Sequence, residues 1–480
     1  MANEPGADVD LERLLTPASI AVVGASAKKE SQGYEFVQTL VEAGFPGPVY
    51  PVNPNLEELL GLKCYPDLQS IPADVDFVIS SVPAGATLEL VDGAIAKHAK
   101  LIHFFTARFS ETGREDAAQL EAELKRRTSQ AGIRVIGPNC MGVHYPKNKI
   151  SFDPVLPRNI GNVGVLSQSG SHAFRIIGRG VERGVGFSKV ISYGNAMDLN
   201  EADFLEHFAQ DPDTEVIGAY IEGIRDGQRF LQALKAAASV KPVVVLKGGR
   251  TTAGRSAAAS HTASLASQAA VWHAAVRQAG AMEVSSLNEL IDMLVAFANA
   301  GPAAGPRVAI LGGAGGEMVE SADICNEAGL DVAPIPPEVR ETLKEIVPKT
   351  WDWISNPIDG SILEWGRPQA LQVLQTLAAS PAYDVVLANV RWLEFMAARE
   401  DGETMLQETL AHLKSLAKDN GKATMFVLGD SESPDERRRR AVVLARNEFA
   451  EAGVALYPDI ERAAKTLGRY VEYMGQRAAG

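Results

Sequence analysis

The chain has 480 residues, a length that corresponds to about three domains. Its hydrophobic share of 46% and charged share of 22% are typical of a globular protein. The formal net charge of −14 argues against non-specific binding to nucleic acid or anionic membranes. It does not exclude the binding of small anionic ligands, because local backbone donors and helix ends hold these.

Short β-branched runs alternate with longer amphipathic stretches along almost the whole chain, and this pattern predicts βα units with parallel sheets. The alternation forms three blocks, for which we expect domains at 1–145, 146–300 and 306–480. The Pro- and Gly-rich stretch 300–306 predicts a linker. We predict strands at 19–23, 48–52, 77–81, 101–105, 134–136, 163–166, 189–192, 216–221, 242–246, 308–311, 385–390, 425–428 and 455–457, and helices at 33–43, 115–131, 286–299, 318–328 and 460–476.

A small-residue turn, Gly24-Ala25-Ser26, follows the first predicted strand. A strand that enters such a turn and then a helix presents free N–H groups to an anion. The turn is not a dinucleotide fingerprint, because Ser26 and Lys29 stand where G-x-G-x-x-G requires glycine. The next strand is followed by Asn53 rather than by the acid that binds an NAD ribose. A plain tight turn is an equally good interpretation on these residues alone.

The last strand of the first block enters the sequence IGPNCMG. Ligands of open α/β sheets bind at the carboxyl ends of strands, so Asn139 is a candidate for bonding a polar ligand. Cys140 has the alternative role of a small buried apolar group.

In the second block, Ser167, Ser169 and Gly170 lie between a predicted strand and a helix. Hydroxyls at a helix N-terminus bind phosphate or simply cap the helix. Glu222 ends another apolar strand, a place from which a carboxylate orients a histidine. A solvated charge at the strand end is the alternative for Glu222.

One histidine, His261, lies among small residues after the Gly-rich loop 248–254. Histidine is a nucleophile that forms covalent phospho-intermediates, and small neighbours leave such a ring room to move. A helix-capping or surface histidine is the alternative. The helical patterns around the other histidines favour surface or packing roles, and we assign His172 a structural role.

The third block opens with a strand and a second Gly-rich turn that contains Gly315 and Gly316. Backbone N–H groups in such a turn form an anion nest. Glu317 argues against an external anion, because its carboxylate could occupy the nest itself.

Three widely spaced cysteines, Cys64, Cys140 and Cys325, show no metal-binding spacing and favour a reducing, cytoplasmic setting. The N-terminal residues 1–15 lack the pattern of a signal peptide, and no apolar run is long enough to span a bilayer. We expect neither a metal site nor a membrane or nucleic-acid partner.

Together these segments resemble the nucleoside-diphosphate-forming acyl-CoA synthetases, relatives of succinyl-CoA synthetase, over essentially the whole chain. The resemblance lies in VVGAS, IGPNCMG, VGVLSQSGS, YGNAMD, YIEGI, KGGRTTAGRSAAASHTASLA and LGGAGGE, in that order. It implies an α/β fold with an N-terminal Rossmann-like CoA-binding domain followed by two flavodoxin-like ligase domains.

The resemblance also assigns residues. His261 matches the phosphorylated histidine, Glu222 matches the acid that accompanies it, and the helices that begin near Ser169 and Gly315 match the pair that holds the phosphoryl group. The implied coenzyme A contacts are Gly24, Ala25, Ser26, Asn53, Pro54, Val82, Pro83, Asn139 and Cys140.

The implied reaction joins a small carboxylic acid to CoA at the expense of ATP or GTP with Mg²⁺. No segment resembles an ATP-grasp domain, so we expect a separate ATP-grasp beta subunit and a heterotetramer. Arg108, Ala263, Ser267 and Glu317 depart from the family pattern. Two alternatives are a regulatory CoA-binding protein without activity, which the presence of His261 and Glu222 disfavours, and an NAD(P)-dependent oxidoreductase, which the incomplete glycine fingerprint disfavours.

Overall fold

The computed structural model describes residues 10–254, 269–363, 368–396 and 402–479. The chain forms two compact units. The first consists of Met1–Gly178 and Gly186–Leu290, and the second consists of Arg179–Val185 and Ile291–Gly480.

The strands of the described residues are short. They are β1 (Ile20–Val23), β2 (Val49–Val52), β3 (Glu58–Leu59), β4 (Leu62–Lys63), β5 (Phe77–Ser80), β6 (Leu101–Phe104), β7 (Arg134–Ile136), β8 (Gly142–His144), β9 (Ile160–Ser167), β10 (Phe187–Ser192), β11 (Val216–Ile221), β12 (Val243–Lys247), β13 (Met282–Val284), β14 (Val308–Leu311), β15 (Val385–Asn389), β16 (Ala423–Val427) and β17 (Leu456–Tyr457).

Helices connect most of these strands. They are α1 (Leu11–Leu15), α2 (Gln32–Ala43), α3 (Thr87–Ala96), α4 (Glu115–Gln130), α5 (Gly170–Val181), α6 (Glu201–Gln210), α7 (Gly227–Val240), α8 (Ala269–Gln278), α9 (Leu287–Asn299), α10 (Gly315–Glu327), α11 (Pro337–Ile346), α12 (Pro368–Ala379), α13 (Trp392–Met396), α14 (Gly402–Asp419), α15 (Glu436–Glu451) and α16 (Ile460–Ala479). Short 3₁₀ turns lie at Ala84–Ala86, Ser110–Thr112, Pro146–Asn148, Trp351–Trp353 and Gly360–Leu363.

The first unit contains two sheets. One is parallel, with strand order β2-β1-β5-β6-β7, and the other has the order β13-β12-β11-β9-β10-β8, with β8 antiparallel to β10. The direction of chain progression reverses between β1 and β5 in the first sheet and between β9 and β11 in the second. Open α/β sheets bind ligands at the carboxyl side of such switch points, so two candidate places follow from topology.

The second unit contains one parallel sheet with the order β14-β15-β16-β17. All residues of β5, β6, β10, β11, β12 and β16 are buried across the three sheets. Parallel strands whose two faces are covered by helices have this continuous apolar character. The predicted parallel α/β fold is confirmed.

Local sequence signals account for helix starts and ends. Ser31 caps α2 by accepting a hydrogen bond from Tyr34 N at 3.3 Å, and α2 ends at Gly44, whose φ of +67° favours glycine. Asp226 caps α7, accepting bonds from Gln228 N and Arg229 N at 3.1 and 3.0 Å.

The sequence analysis missed four strands, β3, β4, β8 and β13, each of only two or three residues. Such short runs carry no periodic signal. Stretch 300–306 has neither helix nor strand, as predicted, but Ala300 is fully buried and its carbonyl accepts from Thr424 N at 2.8 Å. The limits 1–145, 146–300 and 306–480 remain a prediction, and β8 already pairs with the second sheet.

Candidate functional site

The residues predicted to contact coenzyme A gather at the carboxyl edge of the first sheet. Each group follows one strand of that sheet. They are Gly24, Ala25 and Ser26 after β1, Asn53 and Pro54 after β2, Val82 and Pro83 after β5, and Asn139 and Cys140 after β7.

The turn after β1 is packed so closely that glycine is required. Gly24 has a φ of +91°, and a Cβ at this position would lie 2.8 Å from the carbonyl carbon and oxygen of Ser81. A Cβ on Gly33, in the first turn of α2, would lie 2.1 Å from Gly24 O. The turn, the end of β5 and the start of α2 therefore meet backbone to backbone, which places the N-terminus of α2 beside the turn.

Asn53 connects the turns after β1 and β2. Its Nδ2 donates to Ala25 O at 2.6 Å, and its Oδ1 accepts from Asn55 N at 2.8 Å. Both ends of the side-chain amide are thus engaged within the two turns. The amide holds the loops after β1 and β2 together.

Thr106 joins the loops after β5 and β7, a role that the sequence analysis missed. Its hydroxyl donates to Val82 O at 2.6 Å, and its carbonyl accepts from Asn139 N at 2.9 Å. Asn139 itself has a φ of +60°, a conformation that asparagine tolerates better than most residues. The Cys140 thiol is buried, and its Sγ lies 3.7 Å from Phe104 O, so burial raises the thiol pKa above its ordinary value.

The loop after β6 contains a backbone conformation that favours glycine. Arg108, one of the departures from the family pattern, has a φ of +80°. Its backbone N–H donates to Glu111 Oε1, and Phe109 N donates to Glu111 Oε2 at 2.9 Å. The carboxylate of Glu111 therefore holds an arginine in a conformation that costs a non-glycine residue free energy.

Glu222 lies at the switch point of the second sheet, directly after β11. Its side chain is 6% exposed, and the Tyr220 hydroxyl donates to Glu222 Oε1 at 3.1 Å. The Gln168 side-chain oxygen accepts hydrogen bonds from the backbone N–H groups of Glu222 and Gly223. Glu222 is thus a buried, oriented carboxylate and not a solvated charge at a strand end.

Of the predicted phosphate-binding serines, Ser167 ends β9, the strand paired with β11, and Ser169 lies in the turn after it. Ser167 Oγ donates to Ser169 O at 2.8 Å, and Ser169 Oγ lies 3.1 Å from Ser171 Oγ at the start of α5. Gly170 is the first residue of that helix, where a Cβ would lie 2.5 Å from Met141 Cγ. Hydroxyls and a helix N-terminus therefore converge beside the β11 end that carries Glu222.

Lys247 ends β12 and was not singled out in the sequence. Its Nζ donates to the carbonyl oxygens of Glu222 and Gly248, and burial lowers the pKa of this ammonium. The lysine ties the Glu222 segment to the loop that leads toward His261. His261 itself lies outside the described residues, as do Ala263 and Ser267.

The side chain of Glu317 caps the Gly-rich turn at the start of α10. Ala314 N donates to Glu317 Oε2 at 2.9 Å, and Gly313 before it has a φ of +89°. Gly315 and Gly316 begin α10. The Glu317 carboxylate thus takes up one N–H of this turn, as the sequence analysis considered.

Among the residues that the structure describes, no cluster of three His, Cys, Asp or Glu side chains is arranged to hold a metal ion. A search of the same residues finds no helix that is both long and apolar enough to cross a membrane.

Two family models match the chain. The CoA binding domain matches residues 18–146, and the Succinyl-CoA ligase like flavodoxin domain matches residues 160–297. These matches cover the two sheets of the first unit, at whose switch points the candidate residues lie.

Curated relatives extend the similarity to almost the whole chain. Acetate–CoA ligase (ADP-forming) I of Archaeoglobus fulgidus is 35% identical over 96% of this chain, which spans 64% of that protein. The alpha subunit of acetate–CoA ligase (ADP-forming) I of Pyrococcus furiosus is 30% identical over 98% of this chain and 99% of that subunit.

A solved structure shows the same architecture. The dinucleotide-forming acetyl-coenzyme A synthetase 1 of Ca. Korarchaeum cryptofilum, in complex with phosphate and ADP, has a TM-score of 0.82 and 31% identity, with 98% of each chain covered. The N-terminal CoA-binding domain and the flavodoxin-like ligase domain after it are therefore confirmed. The chain belongs to the family of nucleoside-diphosphate-forming acyl-CoA synthetases, which are acid–thiol ligases.

Proposed function

We propose that this chain is the CoA-binding, histidine-bearing subunit of an enzyme that reversibly forms acyl-CoA and a nucleoside diphosphate. The observation that carries the proposal is the geometry around Glu222, a buried carboxylate bonded by Tyr220 and set beside the serine-lined start of α5. A family member needs such an acid next to a phosphorylated histidine, and a solvated strand-end charge would not be held in this way.

Coenzyme A binds at the carboxyl edge of the first sheet. The N-terminus of α2, which lies beside the packed turn after β1, offers backbone donors to its phosphates, whereas Gly24 N and Ala25 N already donate to Val52 O. Asn53 and Thr106 support this edge by tying neighbouring loops together, and Asn139 contributes a polar side chain after β7.

His261 carries the phosphoryl group in three balanced steps. Its ring nitrogen attacks the terminal phosphorus of the nucleoside triphosphate, and the diphosphate leaves. A carboxylate oxygen of the acid then takes the phosphoryl group, which frees the imidazole and gives an acyl phosphate. The CoA thiol attacks the acyl carbon, the C–O bond to phosphate breaks, and the thiol proton goes to the departing phosphate.

Two helix starts stabilise the charge on the transferred group. Ser167, Ser169 and Gly170 form one such phosphate-binding place at the start of α5, and Gly315 and Gly316 form another at the start of α10. Glu222 keeps His261 in the ring orientation needed for attack. Hydrogen-bond donors and dipoles that are already in place need no reorganisation during the transfer.

The nucleotide with Mg²⁺ is bound by a separate ATP-grasp beta subunit, in a heterotetramer. Support comes from the two Pyrococcus furiosus relatives, which are themselves named as alpha subunits. Because the relatives are named ADP-forming acetate–CoA ligases, ATP and acetate are the first substrates to test.

Labelling tests the function directly. The full chain is incubated with ³²P-labelled acetyl phosphate and CoA, and the label is mapped by peptide analysis. We expect one acid-labile, base-stable label on the peptide that contains His261, and its loss in His261→Ala. His412→Ala, on the exposed face of α14, is the control and keeps the label. Full labelling of His261→Ala would overturn the proposal.

A further inference from the structure

Tyr220 and Glu222 lie two residues apart on the β11 end, so their side chains point to the same side of the sheet. The Tyr220 hydroxyl lies 3.1 Å from Glu222 Oε1. Burial, together with the adjacent Glu222 carboxylate, raises the pKa of Tyr220 above its ordinary value. The hydroxyl therefore stays protonated and acts as the donor in this bond.

This pair is set against the beginning of the Gly-rich loop. A Cβ at Gly248 would lie 2.7 Å from the Tyr220 hydroxyl oxygen and 3.1 Å from Glu222 Cγ. Gly248 N also donates to Ile221 O at 2.8 Å. Only a glycine leaves room for both side chains here, so the loop begins in direct contact with the hydroxyl and the carboxylate.

One face of the Tyr220 ring packs against a residue at the start of α5. The His172 ring stacks on it, with ring centroids 4.2 Å apart and planes inclined by 11°. His172 Nδ1 lies 3.1 Å from Ser169 Oγ, which in turn lies 3.1 Å from Ser171 Oγ. A continuous series of contacts thus leads from the carboxylate of Glu222 to the hydroxyls at the helix N-terminus.

We propose that Tyr220 and His172 are positioning residues for the phosphoryl-transfer site, Tyr220 by orienting the Glu222 carboxylate and His172 by holding the serine hydroxyls of α5. This inference rests on the proposed function, and it gives His172 a role beyond the structural one assigned from the sequence. Neither residue forms or breaks a bond with substrate. Their shared ring stack keeps the acid and the hydroxyls in one fixed arrangement.

The two residues are separable by substitution. Tyr220→Phe removes the hydroxyl but keeps the stacked ring, and His172→Phe keeps an aromatic ring but removes the nitrogen that contacts Ser169. The rate of labelling by ³²P-acetyl phosphate is measured against its concentration for the full chain and each variant. Tyr220→Phe should lower the maximal rate by about tenfold or more and leave the half-saturating concentration unchanged. The reason is that a misoriented Glu222 carboxylate slows the transfer step but not the binding of acetyl phosphate.

His172→Phe should instead raise the half-saturating concentration, because His172 no longer holds in place the serine hydroxyls that bind the phosphoryl group. Tyr50→Phe, on β2 of the first sheet, is the matched control and should change neither quantity. CoA affinity, measured by calorimetry, should stay the same in all three variants.

Two failures are distinct. If the wild-type chain takes no label on the His261 peptide, the proposed function and this inference fall together. If the wild type is labelled and Tyr220→Phe reaches the same maximal rate, only the positioning role is overturned. A parallel loss of rate and of unfolding free energy in both variants, with no separation of the two kinetic quantities, would also overturn it.

Discussion

The side-chain amide of Asn195 donates a hydrogen bond to the carboxylate of Glu111, with Nδ2 and Oε2 2.7 Å apart. The bond connects the loop after β10 of the second sheet with the loop after β6 of the first. Asn195 is 2% exposed, its backbone N–H donates to Pro138 O at 3.0 Å, and its carbonyl accepts from Arg225 at 2.9 Å. One buried residue thereby joins the proposed CoA edge to the segment that follows Glu222.

Replacing Asn195 with alanine should destabilise the first unit. The change removes one hydrogen bond to the Glu111 carboxylate, whose Oε2 keeps Phe109 N as a donor, and a hydrogen bond to a charged group contributes about 1.5–3 kcal/mol. Urea unfolding measures the effect. Asn159→Ala, an exposed position before β9, is the control and should stay within about 0.5 kcal/mol of the wild type. An Asn195→Ala chain as stable as the control would show that the bond contributes nothing.

Arg108→Gly should stabilise the chain. An L-residue at a φ of +80° carries a steric cost of about 1–2 kcal/mol, whereas glycine adds back about 0.5–1 kcal/mol of conformational entropy in the unfolded chain. The expected net gain is about 0.5–1 kcal/mol in the free energy of unfolding. Arg108→Ala keeps the strain and should show no gain, so an equal gain in both variants would assign the effect to the arginine side chain instead.

Glu222→Gln should slow phosphoryl transfer to and from His261 by about 10²-fold, in the range seen when a group that assists a histidine is neutralised. CoA affinity should stay near that of the wild type, because the CoA residues follow strands of the other sheet. Rapid-quench measurement of the labelled chain and calorimetry with CoA check the two expectations. If the rate of phosphoryl transfer in Glu222→Gln equals that of the wild type, Glu222 has a purely structural role.

Glu201 should make stability depend on pH between about 4.5 and 7. Burial at the start of α6 raises the pKa of its carboxyl from 4.5 to about 7. This pKa is higher in the folded than in the unfolded chain, so the folded chain favours the neutral carboxyl. The contribution of Glu201 to the free energy of unfolding is therefore fully present below about pH 4.5 and is lost as the pH rises through about 7.

Glu201→Gln should therefore gain stability relative to the wild type between pH 5 and pH 8, by on the order of 2–3 kcal/mol. Urea unfolding at several pH values tests this, with Glu89→Gln at an exposed position of α3 as the control. A constant difference between Glu201→Gln and wild type across this range would contradict the expectation.

Much of the fold was predictable because its determinants are local. The predicted strands at 134–136, 216–221 and 308–311 coincide with β7, β11 and β14, and most other predicted ends differ by one or two residues. Buried parallel strands are short apolar runs bounded by turn residues, and the sequence displays both. The antiparallel strand β8 was missed because three residues after IGPNCM carry no pattern of their own.

The candidate site was less accessible to sequence reasoning. Motif residues such as Ser169 and Glu222 stand out by their position at strand and helix ends. The contacts of Thr106, Asn195 and Lys247 depend on loops brought together from different strands, and no spacing in the chain records that proximity. A lysine or asparagine at a strand end has many ordinary explanations until its partners are known.

Because Ala314 N donates to Glu317 at the start of α10, an anion that binds there must replace the Glu317 carboxylate. An incoming anion does not fill an open nest but must displace a carboxylate that the chain itself supplies and that therefore has a high effective concentration at this place. Arg391, 3.9 Å from Glu317 Oε1, gives the displaced carboxylate a nearby partner. In the proposed reaction, this helix start would therefore favour a doubly charged phosphoryl group over a free monocarboxylate, which carries no more charge than Glu317 itself.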